Sequence, residues 1–319
     1  MPPTTWGILP ANRRARKENN HRRSGAVLVR DLGSSMFTLK VERDSPTAAA
    51  EVGPKTPVQV WLDLRDEVRA YGFAGPHGWS MEWPGLATFR FGRALGSTVE
   101  VVPEPGVSLM RLEDLYRRSV LPLAFQALGK ETLHASAVRL SAGVVAFCGE
   151  RGAGKSTVAY GLYRRGFEQR ADDTLVLSIA SHDIRTFPLA FTPRLRPLSA
   201  EFFGTATPTD DYLLPPDENG TSEPLAAVFV LLPAAHAPQE PIIERLTPPN
   251  AFRAALAHAH CFDTGNPDSR RRLLENYLEL AACVPAFHVT YRPGIQALAV
   301  LLDAILAAAG EPVQAGVGL

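Results

Sequence analysis

Short apolar runs separated by glycine and proline fill the first hundred residues of the chain. Along these runs, hydrophobic and polar positions alternate with a period of two, which is the pattern of half-buried strands. The predicted strands are Ala26–Val29, Met36–Val41, Val58–Leu62, Ala87–Phe91 and Val99–Val102. No residues here have catalytic spacing, and we expect Trp61, Trp79 and Trp83 to be core aromatics rather than a ligand cage. The pattern predicts a small β-rich N-terminal domain.

The apolar period changes to 3.6 residues at Leu109, which predicts a helix from Leu109 to about Leu128 that ends at Gly129. Pro122 would kink this helix or split it in two. We place the domain boundary behind the helix. The N-terminal domain with its linker helix then covers residues 25–128, and a second domain covers residues 129–319.

Strands and helices alternate in the second domain, which predicts an α/β fold. The predicted strands are Thr132–Leu140, Gly143–Cys148, Thr174–Ile179, Ala226–Leu232, Ile242–Leu246 and Ala286–Tyr291. The predicted helices are Lys155–Arg165, Asn250–His260, Ser269–Cys283 and Gly294–Ala309. Between them, Thr186–Ser222 is rich in proline, glycine and aspartate, and it predicts a long loop of the kind that is usually functional in a compact domain.

The composition is that of a folded chain, since 45% of its 319 residues are hydrophobic and 21% are charged. Basic and acidic residues balance at 33 each, but residues 1–30 hold seven basic residues and one acid, which leaves the remainder with a formal charge of −6. A mildly acidic body argues against a nucleic-acid groove. Residues 1–24 lack apolar periodicity and predict a disordered basic tail, either simply solvated or an electrostatic tether to an acidic partner.

Further features indicate a cytoplasmic protein. Three cysteines, Cys148, Cys261 and Cys283, cannot form a disulfide framework, which favours a reducing compartment. No apolar run approaches the ~20 residues that a bilayer-spanning helix requires, and the charged N-terminus lacks the apolar region of a secretory signal. We therefore expect no membrane and no nucleic-acid partner. The oligomeric state stays open, a homo-oligomer included.

The strongest chemical signal is a glycine-rich loop that matches G-x-x-x-x-G-K-[ST] in full, with an apolar strand before it and a helix after it. Its glycines permit a tight turn with inward N–H groups, and the helix N-terminus adds partial positive charge. Lys155 would contact the β and γ phosphates, and Ser156 would reach Mg²⁺. The loop and the residue after it are Gly149, Glu150, Arg151, Gly152, Ala153, Gly154, Lys155, Ser156 and Thr157. This segment predicts a site for a nucleotide phosphate.

Two adjacent acids, Asp172 and Asp173, follow the loop helix after only a short segment. Neighbouring side chains on an extended chain point to opposite sides, so one acid can face a metal while the other faces an acceptor hydroxyl. The alternative is a turn cap. His134, in the strand before the loop strand, is either a structural histidine or a group within reach of the transferred phosphoryl.

Other polar residues carry weaker signals. Arg194 and Arg196 are either loop charges or a phosphate clamp, and we assign Arg196 to the nucleotide. His258 and His260 suggest zinc, but residues two apart do not share a helix face and no second ligand cluster is evident. Arg270–Arg272 is typical of a solvated helix face, with a docking patch for an acidic peptide as the alternative.

Three motifs in a fixed order resemble the HPr kinase/phosphorylase family and its HPr-kinase-like relatives, which include kinases found in lasso-peptide and other biosynthetic clusters. The motifs are Leu133–Val138, Gly149–Thr157 and Arg170–Asp173. The resemblance implies an ATP-dependent protein-serine kinase with a P-loop core of the HPr kinase and phosphoenolpyruvate carboxykinase type. It also implies roles: Asp172 as the base toward the hydroxyl, Asp173 and Ser156 as Mg²⁺ ligands, and His134 at the active site.

The chain departs from the family pattern in three places. Thr157 stands where an acid usually follows the loop serine, the glycine-rich signature associated with phosphorolysis is not visible, and the N-terminal domain is unlike the regulator's own. These departures indicate a diverged relative that acts only as a kinase and not on HPr. We expect transfer of the γ-phosphoryl of ATP to a serine or threonine of a peptide or small protein, with Lys155 and Asp172 as catalytic residues. The alternatives are a kinase for a small hydroxylated metabolite and a non-catalytic ATP-binding scaffold or sensor.

Overall fold

A computed structural model of the chain describes residues 7–8, 27–30, 37–42, 56–63, 65–75, 78–187, 189, 191, 193–205 and 222–312. Of the predicted basic tail, Gly7 and Ile8 form a short strand that pairs with Val27–Arg30, and the rest lies outside the described residues. Of the predicted loop between Thr186 and Ser222, residues 206–221 also lie outside them.

The chain divides into two compact units after Gly129. Unit 1 contains Met1–Gly129 and a short later segment, Phe262–Asn266, and unit 2 contains Lys130–Cys261 and Pro267–Leu319. The α/β class predicted from the sequence is confirmed at the level of sheets and helices in one chain. The segment 262–266 returns to unit 1 from within the second half of the chain, which no composition change marks.

Unit 1 contains an eight-stranded sheet in the order β1-β2-β3-β8-β7-β6-β5-β4, in which only the β3–β8 neighbours run parallel. Its strands are β1 (Gly7–Ile8), β2 (Val27–Arg30), β3 (Thr38–Glu42), β4 (Gln59–Leu62), β5 (Val68–Gly75), β6 (Gly78–Trp83), β7 (Ala87–Phe91) and β8 (Thr98–Pro103). The predicted core role of the tryptophans agrees with their packing. Trp83 is buried, and the half-buried Trp61 and Trp79 lie 5.8 and 4.5 Å from the ring of Phe262.

The hairpin of β5 and β6 was missing from the predicted strands. The sequence Val68–Gly75 carries two glycines that interrupt its apolar alternation, so its own pattern is weak. The pairing partners on both sides decide its conformation, because β4 and β6 each form an antiparallel ladder with β5. Gly72 also requires the absence of a side chain, since a Cβ there would lie 2.7 Å from the ring of Phe262.

The helix predicted over Leu109–Leu128 forms three consecutive pieces. They are α1 (Leu109–Leu115), a π-helical turn (Tyr116–Val120) and α2 (Leu121–Ala127). Pro122 lies in the first turn of α2, directly after the π-helical turn, so the helix is divided at the proline as expected. Gly129 follows with φ +83°, as expected of a glycine that ends a helix.

Unit 2 contains nine strands and five helices among its described residues. The strands are β9 (Glu131–Leu133), β10 (Ser136–Leu140), β11 (Gly143–Cys148), β12 (Glu168–Ala171), β13 (Leu175–Ala180), β14 (Asp183–Phe187), β15 (Glu223–Pro233), β16 (Ile242–Arg245) and β17 (Ala286–Tyr291). The helices are α3 (Lys155–Arg164), α4 (Pro197–Phe202), α5 (Pro248–Leu256), α6 (Pro267–Cys283) and α7 (Leu298–Ala308).

The strands of unit 2 join in the order β12-β10-β11-β15-β14-β13-β9, with β17 also on β15 and β16 on β17. The core of the sheet is parallel, because β15 runs parallel to both β11 and β17. The single strand predicted over Thr132–Leu140 was wrong. It divides into β9 and β10, which pair with different partners, so the chain passes between two parts of the sheet at His134 and Ala135.

Helices cover both faces of this sheet. Along β11, Val145 and Phe147 contact one hydrophobic cluster while Ala146 and Cys148 contact the other, as period-two alternation requires. The first cluster contains residues of α3 and α7, and the second contains residues of α5 and α6. Cys148 is fully buried and, like Cys261 and Cys283, is a free thiol. In the part of the chain that the structure describes, no helix has the length and apolar character to cross a membrane.

Candidate active site

Three strand ends meet at one edge of the sheet in unit 2. The strand β10 lies between β11 and β12 and is antiparallel to both, so β11 and β12 run in the same direction. The carboxyl end of β11 leads into the glycine-rich loop, and the carboxyl end of β12 leads into Asp172 and Asp173. The amino end of β10 lies at the same edge. The loop and the acids are therefore neighbours with one strand between them.

The glycine-rich loop connects β11 to α3, as the sequence predicted. Gly149 has φ +147°, and a Cβ there would lie 2.8 Å from the carbonyl oxygen of Leu231. Gly154 has φ +82° and immediately precedes α3. A hydrogen bond from the Tyr291 hydroxyl to the carbonyl oxygen of Ala153 (2.6 Å) fixes the loop to the end of β17. Glycine is required at two of these positions for backbone reasons, and the loop is held from the sheet side.

Lys155, the first residue of α3, lies across the loop. Its ammonium donates to the carbonyl oxygen of Gly149 at 2.8 Å and to that of Glu150 at 3.4 Å. Burial lowers the pKa of Lys155, while Cys148 and the acids Asp173, Asp172 and Glu150 raise it. The ammonium is a buried cation held by loop carbonyls, which is where an anion bound in the loop would meet it.

The Asp172 carboxylate accepts three hydrogen bonds from the protein. Its Oδ1 accepts from the hydroxyls of Ser136 (2.7 Å) and Ser156 (2.8 Å), and its Oδ2 accepts from the backbone N–H of Arg194 (2.9 Å). Burial, and then the neighbouring charge of Asp173, raise the pKa of Asp172 to about 7, while the two serine hydroxyls and Lys155 oppose the shift. This acid is buried and held in one orientation.

A β-bulge sets the position of Asp172. Ala137 of β10 pairs with Ala171, but Val138 pairs with Gln169, so Arg170 is the extra residue in β12. A bulge re-aims the side chains that follow it. Because Ala137 and Ala171 are opposite each other, the next positions outward, Ser136 and Asp172, also face each other, as their hydrogen bond shows.

Asp173 has a different environment from Asp172. Its backbone is in the left-handed region with φ +69°, a conformation that aspartate tolerates better than most residues. Its carbonyl oxygen lies 2.9 Å from Nδ1 of His134. A carbonyl can only accept, so Nδ1 carries the proton and Nε2 of the neutral ring keeps a free lone pair. Burial and the charge of Lys155 lower the pKa of His134, which favours this neutral form.

The segment His258–His260 lies beside His134. The backbone N–H of His134 donates to the carbonyl oxygen of His258 (2.7 Å), and the N–H of His260 donates to that of Thr132 (3.0 Å). The helix predicted to reach His260 ends at Leu256. His258 lies in the turn after the helix and His260 follows that turn, so the helical argument against a shared face does not apply. Among the described residues, no cluster of three or more His, Cys, Asp or Glu side chains could hold a metal ion.

Two further residues assigned to the nucleotide lie close to the loop. The guanidinium of Arg196 is exposed and lies over Gly152, where a Cβ would be 3.2 Å from its nitrogen. The hydroxyl of Thr157, in the first turn of α3, hydrogen-bonds that of Ser199 in α4 (2.9 Å). The side chains of Glu150 and Arg151 are exposed.

The structure brings the predicted site residues together, but with one pairing exchanged. The sequence grouped Ser156 with Asp173, whereas the Ser156 hydroxyl contacts Asp172. Sequence reasoning assigned no role to Ser136 and considered His258 only as a zinc ligand. Ser136 stands in the segment Leu133–Val138 that carries part of the family resemblance, and its polar hydroxyl between two alanines was a usable signal. The position of His258 depends on the early end of α5, which the sequence did not reveal.

No family model matches the chain, and no curated protein matches it. Among solved structures, the HPr(Ser) kinase/phosphatase from Coxiella burnetii is similar, at 11% identity and a TM-score of 0.28. The match covers 56% of this chain and 93% of that chain. The overall similarity is weak, so the chemistry of this site has to be read from its own residues.

The donor set suits a hard divalent cation together with a phosphate ligand. Carboxylate and hydroxyl oxygens, with the remaining positions filled by phosphate and water, are typical ligands of Mg²⁺. Ser156, Asp172 and Asp173 supply such oxygens at the mouth of the loop.

Proposed function

We propose that this chain is an ATP-dependent phosphotransferase with a P-loop core of the HPr kinase type, which transfers a γ-phosphoryl group to a serine or threonine hydroxyl of a peptide or small protein. One observation carries the proposal. A buried carboxylate, Asp172, lies 2.8 Å from the hydroxyl of Ser156 in the loop whose Lys155 provides a buried cation. A structural turn would not require a buried acid, a buried ammonium and a glycine-rich loop at one point.

The nucleotide would bind by its phosphates in the loop. The backbone N–H groups of the loop and the start of α3 favour an anion, and Lys155 would leave the Gly149 carbonyl for a phosphate oxygen. Arg196 adds a second cation over Gly152. Mg²⁺, when bound, would neutralise charge on the phosphates, and the oxygens of Ser156 and the acid beside it are its candidate protein ligands.

The two acids would divide their work according to their environments. Both oxygens of Asp172 are engaged by protein donors and one of these donors is Ser156, which favours a role for Asp172 on the metal side. Asp173 is partly exposed and its backbone is fixed by His134, which favours the acceptor side. This division exchanges the roles implied by the family resemblance, in which Asp172 faces the hydroxyl.

The transfer itself balances simply. The acceptor oxygen forms a bond to the γ phosphorus, the bond from that phosphorus to the bridging oxygen of ADP breaks, and the hydroxyl proton passes to a carboxylate. Most of the rate enhancement would come from position and from stabilisation of charge on the transferred group by Lys155 and the loop amides.

The test uses the full chain with γ-labelled ATP and Mg²⁺. The acceptors are a serine- and threonine-containing peptide library and, separately, free hydroxy-amino acids and sugars. We expect label in peptide serine or threonine. If only a small molecule is labelled, the acceptor is a small hydroxylated metabolite and not a peptide. ATP binding without any labelled product would overturn the transferase proposal.

The division of roles is tested by Asp172→Asn and Asp173→Asn. We expect Asp173→Asn to keep nucleotide and Mn²⁺ binding while transfer is lost, and Asp172→Asn to weaken Mn²⁺ binding. The reverse pattern would restore Asp172 as the base and Asp173 as the metal ligand.

A further inference from the structure

We propose that Ser136 is a positioning residue that holds the Asp172 carboxylate for the metal side of the site, an inference that rests on the proposed function. Its hydroxyl donates to Oδ1 of Asp172 at 2.7 Å, a shorter contact than the one from Ser156 to the same oxygen. Neither the loop pattern nor the acid pair predicted a role for this residue.

Ser136 is a rigid support because the sheet holds it on both sides. It pairs with Phe147 on β11, two residues before the loop begins, and the next residue, Ala137, pairs with Ala171, the last residue of β12 before Asp172. Its side chain is 1% exposed. The Ser136 hydroxyl therefore lies on the single strand that separates the loop from the acids. Because the sheet fixes this strand, it also fixes the distance between the loop and Asp172.

The two serines that contact Asp172 would not have equal roles. Ser156 belongs to the loop, and its oxygen is a candidate metal ligand, so its hydroxyl would leave Asp172 when a metal binds. Ser136 would then be the remaining side-chain donor to Oδ1, while the N–H of Arg194 stays on Oδ2. With Ser136 in place, the carboxylate keeps its orientation during this exchange.

The hydroxyl of Ser136 is explained by its partner rather than by packing. A buried hydroxyl is unfavourable unless it is hydrogen-bonded, and the Ser136 hydroxyl donates to the Asp172 carboxylate. Ser136→Ala removes one oxygen atom and leaves every carbon atom in place, so the variant is expected to fold.

The experiment measures Mn²⁺ binding by electron paramagnetic resonance, with the full chain and a non-hydrolysable ATP analogue. Loss of a hydrogen bond that orients a metal ligand usually weakens metal affinity by roughly 10- to 100-fold. We expect Ser136→Ala to weaken Mn²⁺ affinity by about tenfold, near the lower end of this range. The affinity for the ATP analogue in EDTA should be unchanged, because the loop and Lys155 are untouched. Ser136→Thr, which keeps the hydroxyl, should restore most of the Mn²⁺ affinity.

The matched control is Thr186→Val. Thr186 is also a buried hydroxyl residue of unit 2, and it donates to the carbonyl oxygen of Glu223, outside the site. Thr186→Val should leave Mn²⁺ affinity unchanged. This result would distinguish a positioning role of Ser136 from a general effect of removing a buried hydroxyl. In a turnover assay, Ser136→Ala should raise the Mg²⁺ concentration needed for half-maximal rate about tenfold, and the rate at saturating Mg²⁺ should stay within a few-fold of wild type.

Each outcome decides the proposal. Wild-type Mn²⁺ affinity in Ser136→Ala, or an equal loss in Thr186→Val, would overturn the role of Ser136 and leave the proposed function standing. Nucleotide-dependent Mn²⁺ binding without phosphoryl transfer in the wild-type chain would overturn the proposed function, while the affinity comparison would still decide the role of Ser136. No nucleotide-dependent Mn²⁺ binding at all would overturn both.

Discussion

The two units of this protein bury different kinds of side chain. In unit 1, the sheet buries aromatic and aliphatic residues such as Phe89 and Phe91, and its ion pairs, such as Lys40 with Glu100, are at least partly exposed. In unit 2, a buried ammonium, a buried carboxylate and a buried serine hydroxyl lie together at one sheet edge. Of eleven buried polar or charged residues whose burial the structure describes, nine belong to unit 2.

This difference separates stability from chemistry. Burying an apolar ring stabilises the fold, whereas burying a charge costs free energy unless partners offset it. Among the described residues of unit 2, two of the three buried charged residues, Lys155 and Asp172, lie together at the site, where the partners are a glycine loop, two serines and a backbone N–H. We therefore expect substitutions at the site to change the chemistry more than the stability. Substitutions in the core of unit 1 should change the stability more than the chemistry.

The largest effect is expected from Lys155→Met. Loss of a preorganised cation at the phosphates should reduce the rate of phosphoryl transfer by about 10²- to 10³-fold, while the unfolding midpoint stays close to that of wild type. Initial rates with labelled ATP measure the loss of phosphoryl transfer, and urea denaturation measures the unfolding midpoint. The matched control is Lys130→Met, since Lys130 of unit 2 bonds Ser178 outside the site and its loss should not change the rate. Equal rates for the two variants would remove Lys155 from the mechanism.

The next effect is a pH dependence of stability from His260. Burial, and then the charge of His134, lower the pKa of His260 from 6.5 to about 4. The unfolded ring gains its proton below about pH 6.5 but the folded ring stays neutral to about pH 4, so this residue's contribution is present above pH 6.5 and is lost as pH falls through that window. The loss is at most about 3 kcal/mol.

Urea denaturation of wild type and His260→Gln at pH 7.5, 6 and 4.5 checks this contribution. The difference in unfolding free energy between the two proteins should shrink as the pH falls. A difference that is constant over the series would show that His260 has an ordinary pKa in the folded state.

A smaller effect is expected from Phe89→Leu in unit 1. Phe89 is fully buried and packs edge-to-face on Trp83 at 5.6 Å. A hydrophobic replacement of similar volume should lower the unfolding free energy by about 1.5 kcal/mol and leave nucleotide affinity per folded molecule unchanged. Denaturation and titration with a fluorescent ATP analogue measure the two quantities. A clear loss of nucleotide affinity would break the separation between the two units.

The smallest effect is expected from Arg196→Ala. An exposed cation beside a phosphate contributes up to about 1 kcal/mol, which corresponds to roughly a fivefold change in nucleotide affinity. Salt screens such a contact, so the change should decrease as ionic strength rises. The control is Arg253→Ala, an exposed arginine on α5. Affinities of the two variants that agree at low salt would exclude Arg196 from the nucleotide site.

The elements around the site could be predicted because their signals are local. The apolar run before Gly149 and the helix after Gly154 are encoded in consecutive residues, and both are present as expected. The contacts among the polar groups could not be predicted in the same way. That Asp172 rather than Asp173 meets Ser156 depends on the bulge at Arg170, which shifts the pairing by one residue and which no local pattern announced.

The early end of α5 shows the same limit. A periodic run predicted helix to His260, but the helix ends at Leu256. Behind it, the carbonyl oxygen of His258 accepts from the N–H of His134, and the N–H of His260 donates to Thr132 of β9. A residue at a helix end can either continue the helix or pair with a strand. Which of the two occurs depends on whether a strand lies nearby in space. The argument against zinc binding by His258 and His260 assumed that both residues are on a helix, but α5 ends before them.

The sequence by itself determined the α/β class, the strand and helix on either side of the tight glycine turn, and the presence of a lysine at that turn with two acids soon after it. These follow from local preferences, because period, glycine and charge act over a few residues. The tertiary structure decided which strand lies between loop and acids, that Ser136 on that strand contacts Asp172, and which acid faces Ser156. Such contacts depend on strand order and register, which are set by packing among residues far apart in the chain.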